Sequence, residues 1–121
     1  MTQSAAFSRY KADVLPPAIV RYLGAQADTG NRELLVDVFA TDASVTDEGI
    51  THRGRDAIRR WLATAATEFT YTTTLIGQRS DETDRWTVLA RIDGNFPGGT
   101  ANLRFQFAVQ ADEITELVIA A

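Results

Sequence analysis

The sequence predicts an α+β domain: a strongly curved, mostly antiparallel sheet forming a cone, with three helices packed on its concave face. Three observations carry this prediction. Apolar residues recur at helical spacing in three segments before residue 68, and from Phe69 onward the period becomes two and stays two. Helices first and a long meander last leave the helices one face of that sheet to cover. Glycines at 77, 94, 98 and 99 allow the long strands to bend.

Residues 1–13 are polar with scattered Phe7 and Tyr10, and Pro16-Pro17 stops this arm from running helically into the next segment. The arm is therefore set apart from a domain over 14–121. Pro17 suits a first-turn position, Ile19, Tyr22, Leu23 and Gln26 form a stripe, and Gly30 suits a terminating residue, giving a first helix over about 17–29. A short second helix opens on Asn31 as N-cap and ends near Ala40, with Leu34, Leu35, Val38 and Phe39 on its apolar face. In DASVTDEG, Ala43, Val45 and Asp47 alternate with Ser44, Thr46 and Glu48, which is a strand closing on Gly49, and ITHR suits a second short strand. A third helix opens at Gly54 and Asp56, with Ile58, Trp61, Leu62 and Ala65 inward and Arg55, Arg59 and Arg60 on the wet side. Four strands complete the chain: FTYTTTLIGQ, RWTVLARIDGNF, TANLRFQFAVQ and EITELVIA. Threonines 70, 72 and 74 suggest an open face on the first of these. Leu103, Phe105, Phe107 and Val109 make an apolar face on the third.

Composition narrows the function. A formal net charge of -4 supplies no cationic field for nucleic acid or anionic lipid, so neither is expected as a partner. The absence of cysteine removes disulfides, thiolate nucleophiles and cysteine-ligated metals, and suits a reducing cytoplasm. No segment reaches the ~20 apolar residues of a membrane span or forms a signal-peptide core, so the expectation is a soluble, cytoplasmic chain. There is no nucleotide-binding glycine fingerprint, phosphate loop or nucleophile motif, and no cofactor is expected.

The order helix, helix, short strand, helix, four strands, with FATDASVTDEG followed by HRGRDAIRRWL, resembles the SnoaL-like members of the nuclear transport factor two-like superfamily over about residues 14–119. Phe39 to Asp47 resembles the family's end of helix two and first strand. Gly54, Ala57 and Ile58 resemble its third-helix start. The superfamily includes ketosteroid isomerase, polyketide cyclases and dehydratases, and also non-catalytic binding or assembly modules, so the fold leaves function open.

Asp47 is the sharpest chemical candidate. Alternation puts it on the face of Ala43 and Val45, where apolar surroundings would disfavour its charged form and suit it to act as a base on carbon acids. Its position resembles that of the isomerase's catalytic aspartate. The competing reading is a simple Asp47-Glu48-Gly49 turn. Tyr22 resembles the isomerase tyrosine that donates to the substrate oxygen; the alternative is a core tyrosine. The isomerase also uses a protonated acid from a late strand, and here that stretch reads TANLRFQF with no carboxylate, which argues against ketosteroid isomerisation itself. His52, the single histidine, suits an acid, base or donor at the mouth or an ordinary surface position, and no metal is expected. Phe39, Trp61, Tyr71, Phe105 and Phe107 are candidates to line a pocket or fill a core. Arg91, Asp93 and Arg104 belong on the outer face, in solvent or at a dimer interface.

Two functions fit these residues. One is proton transfer of the isomerase, cyclase or hydratase kind on a small apolar carbonyl compound, with Asp47 as base. The other is a non-catalytic ligand-binding or dimerisation module. Homodimerisation through the outer sheet face is expected on either.

Overall fold

Strand β6 (Thr100–Gln110) shows how the alternating pattern becomes a core, because Phe105 and Phe107 are buried while Arg104 and Gln106, which alternate with them, stay exposed. A computed structural model describes residues 7–25, 35–68 and 71–121, and for residues 25, 65–68 and 71 the backbone alone. Its elements are β1 (Ser8–Arg9), α1 (Pro17–Ala25), β2 (Phe39–Asp47), β3 (Ile50–Arg53), α2 (Arg55–Glu68), β4 (Tyr71–Glu82), β5 (Arg85–Gly94), β6 and β7 (Glu113–Ala120). One sheet takes all seven strands in the order β1-β4-β5-β6-β7-β2-β3. It is not closed, since β1 and β3 are its two edges. Every pairing is antiparallel except β2 with β7, where Val45 meets Leu117 and Asp47 meets Ile119.

The four-strand meander and the 17-onward and 54-onward helices stand where the sequence places them. The segment over 31–40 differs. Residues 31–34 lie outside the described residues, as does Thr70; residues 35–38 form a 3-10 turn, and Phe39 and Ala40 open β2 instead of ending a helix. The parallel partner explains this, because Phe39 pairs with Ile114 and is fully buried there, and a tertiary pairing outweighs a local helical stripe. Two α-helices are therefore present among the described residues.

Short-range chemistry fixes the joints. Pro17 opens α1, and Asp112 Oδ1 accepts the backbone N–H of Ala18 at 3.1 Å, a cap supplied from the β6–β7 turn. That turn places Ala111 and Asp112 at φ 51° and 58°. The β2–β3 turn does likewise with Glu48 at 53° and Gly49 at 77°, a two-residue connection in which both central residues are left-handed. At the start of α2, Arg55 donates twice to Phe39 O, at 3.0 and 2.8 Å, and pairs with Glu113 at 3.5 Å. The helix is thereby tied to the β2–β7 seam. Between helices and sheet, Ile19, Ile58, Val45, Val88, Ile114 and Leu117 are fully buried. Burial of each such side chain contributes about 1.5–3 kcal/mol.

The arm is docked. Ser8 and Arg9 pair with Gln78 and Gly77 at the free edge of β4, the Arg79 guanidinium lies 4.4 Å from the Phe7 ring centroid, and Gln78 Oε1 accepts the Lys11 N–H at 2.7 Å. The Gln78 amide is otherwise buried, so this bond meets a need the sheet alone leaves open. A Cβ on Gly77 would stand 2.9 Å from the Ser8 carbonyl oxygen, which is why the arm requires glycine there.

Candidate functional site

Helix α2 crosses β2 and β3, and its residues Ala57, Arg60, Trp61 and Thr64 recur at i, i+3, i+4 and i+7 along one face. Opposite them stand Asp47, Glu48, Ile50 and His52 from the β2–β3 hairpin. The two rows line a groove of about 380 Å³, open on one side. This lies within the size range of small-molecule sites.

Asp47 ends β2 on the same face as the buried Ala43 and Val45 and is itself half-buried. Its Oδ2 accepts a hydrogen bond from Trp61 Nε1 at 3.1 Å, and no described donor reaches Oδ1. The indole is 9% exposed, so it fixes the carboxylate from the protein side and leaves the second oxygen for the groove. His52 is half-buried on β3, with its ring centroid 6.1 Å from that of Trp61 and the planes tilted by 32°. Among the described residues its nitrogens make no hydrogen bond.

Five ion pairs occur among the described residues, Arg55–Glu113, Arg59–Asp56, Arg79–Asp81, Arg85–Glu116 and Arg91–Asp93, and none of them lies in the groove. Asp93, half-buried, has its carboxyl held below the usual carboxylate range by the Thr100 hydroxyl and then by Arg91. Within the groove Asp47, Glu48 and Arg60 form no ion pair among the described residues.

Tyr22 stands elsewhere. It is 1% exposed on α1 and meets Phe39, Phe105 and Phe107 in edge-to-face contacts, with centroids 6.0, 6.4 and 5.9 Å away. Of the residues put forward from sequence, Asp47, His52 and Trp61 thus line one groove. Tyr22, Phe39, Phe105 and Phe107 form an aromatic cluster in the core, and the Tyr71 side chain lies outside the described residues. Sequence reasoning missed Glu48, Arg60 and Thr64. The i, i+3, i+4, i+7 stripe of α2 was the available signal, but Arg60 read as a solvated charge. No group of three or more metal-ligating side chains occurs among the described residues, and no described helix is long and apolar enough to cross a membrane.

Comparison with known proteins agrees with this architecture. No curated protein matches the sequence. Among solved structures, a candidate polyketide cyclase from Sinorhizobium meliloti is 31% identical with a TM-score of 0.83, covering 92% of this chain and 100% of that one. A Catenulispora acidiphila protein with a ketosteroid isomerase-like fold, solved with trimethylamine, is 23% identical with a TM-score of 0.74, covering 88% of this chain and 87% of that one. A Mycobacterium tuberculosis protein solved with estradiol-17β-hemisuccinate is 18% identical with a TM-score of 0.69, covering 88% of this chain and 95% of that one. The model of the SnoaL-like domain matches residues 19–116, and the chain therefore belongs to the SnoaL-like family of the nuclear transport factor two-like fold.

Proposed function

We propose that this chain is a small-molecule pocket protein in which the groove between α2 and the β2–β3 hairpin holds a small carbonyl compound and Asp47 takes a carbon-bound proton from it. The observation that carries the reading is the Asp47 carboxylate, with Oδ2 engaged by Trp61 and Oδ1 without a donor among the described residues, in a groove whose His52 likewise makes no hydrogen bond among them. In the step proposed, Oδ1 accepts the proton from the carbon beside the carbonyl, and the electron pair of that C–H bond moves onto the carbonyl oxygen. An N–H of His52 then steadies the oxygen, and the proton returns to the same or a neighbouring carbon. Ring closure and isomerisation both begin this way, which fits the likeness to a candidate polyketide cyclase. The steroid ester and the amine held by two relatives support a small organic ligand of this size.

A second reading, binding without reaction, is favoured by Tyr22. The resemblance implies a tyrosine donor beside the carboxylate, and Tyr22 packs instead among Phe39, Phe105 and Phe107. Loss of α-proton NMR signals from cyclic ketones in deuterated water separates the two readings without knowledge of the natural ligand. Proton transfer requires the wild-type protein to accelerate exchange and Asp47→Asn to slow it by about 100-fold or more with the circular dichroism spectrum unchanged. Equal rates for the two proteins would leave only the binding role.

The reading extends to a cone-shaped enclosure of the helices by the sheet, to pairing of two copies through the outer sheet face, and to a cytoplasmic setting. Exposed Thr72, Thr74 and Arg91 support the second. The cysteine-free sequence supports the third.

A further inference from the structure

We infer that the ligand of this groove carries a single carboxylate, received by Arg60. The inference rests on the groove being the binding site, as proposed above, but not on proton transfer occurring there. Arg55, Arg59, Arg79, Arg85 and Arg91 each engage a carboxylate, and Arg104 donates to a backbone carbonyl. Arg9, Arg21, Arg53 and Arg60 engage none among the described residues, and of these four Arg60 alone lines the groove, with Asp47 and Glu48.

The helical spacing explains how the charges come to face one gap. Trp61, next to Arg60, gives its indole N–H to Asp47, so the wall that carries the guanidinium is the wall that braces the carboxylate. Ala57, one turn earlier, is small and leaves room between them. A guanidinium offers a planar fork of donors that matches a carboxylate, and the groove rim leaves that fork unspent. The charge of the lining sets the valence. One guanidinium can pair one carboxylate, and Asp47 and Glu48 would repel a second negative charge such as that of a phosphate dianion. The class implied is a small keto acid, with its carboxylate at Arg60 and its carbonyl-activated carbon toward Asp47 Oδ1.

The test uses the full chain labelled with nitrogen-15 and two probes of matched shape, 4-oxocyclohexanecarboxylate and its methyl ester. The Trp61 indole N–H resonance reports the groove, and that of Trp86, which does not line it, is the internal control. The expected result is that the acid shifts the Trp61 signal at a concentration roughly tenfold lower than the ester. Arg60→Met should abolish that preference while leaving the ester's titration within about twofold, and Arg60→Lys should restore part of it. Arg60 is exposed, so neither variant threatens the fold. Equal binding of acid and ester by wild type, an equal effect of Arg60→Met on both, or no Trp61 shift with either probe overturns the inference. Failure of the proton-transfer reading appears separately, as a Trp61 shift with no α-proton exchange, and that outcome leaves the carboxylate assignment standing.

Discussion

Replacing Gly77 by alanine should release the N-terminal arm while leaving the rest of the domain folded. The added Cβ would stand 2.9 Å from the Ser8 carbonyl oxygen, a backbone atom that cannot rotate away, so strand β1 must retreat by about half an ångström to reach ordinary contact. Retreat weakens three things together: the Ser8–Gln78 and Arg9–Gly77 pairing, the stacking of Arg79 on Phe7, and the bond from the Lys11 N–H to Gln78. At an exposed edge the stacking contributes about 0.5–1 kcal/mol and the hydrogen bond about 1 kcal/mol. Losing them weakens arm docking by about 1–2 kcal/mol, which raises the open fraction by roughly 5- to 30-fold. Trypsin reads that fraction directly, because Arg9 and Lys11 lie in the arm, and cleavage after them should accelerate by the same factor when opening is fast. Gly24→Ala is the matched control: nothing lies within 4 Å of its Cβ and it is helical, so it should be neutral or stabilising by up to about 1 kcal/mol. Arm cleavage in Gly77→Ala within twofold of wild type would refute the close-approach argument.

Two further outcomes are expected. Asp112→Ala removes the acceptor for the Ala18 N–H and places alanine at φ 58°, and should cost about 1–2 kcal/mol, seen as a lower thermal midpoint; Asp112→Asn, which keeps an acceptor and tolerates that φ, should lose less than half as much. Pairing through the outer sheet face should give a particle of twice the 13.3 kDa chain mass in light scattering, and a particle of one chain mass at high concentration would defeat it.

Much of the fold was legible because the signals are local. The period of two over residues 71–120 marks four strands, and Glu48-Gly49 marks a hairpin whose flanking segments do pair, Asp47 with Ile50 and Val45 with His52. Three features were not legible, each for a definite reason. The parallel β2–β7 ladder joins segments far apart in sequence, and no residue of either announces the other. Gly77 reads as a bend from sequence, but its need is space for another strand. The Asp47–Trp61 bond crosses fourteen residues and two elements, so alternation could place the carboxylate on the apolar face without naming the donor that meets it. Tyr22 shows the converse: its inward position was readable from helical spacing, while its neighbours Phe105 and Phe107 come from a distant strand and decide that it is core.

The middle position of β7 has a consequence for how the domain assembles. The β4–β5–β6–β7 meander joins neighbouring segments, whereas β2 and β3 reach its hydrogen-bond ladder only at β7, the last strand along the chain. The pairing of widest sequence separation in the sheet is therefore this one parallel seam, and the groove wall that carries Asp47 is held to the meander's ladder there, where Asp47 meets Ile119.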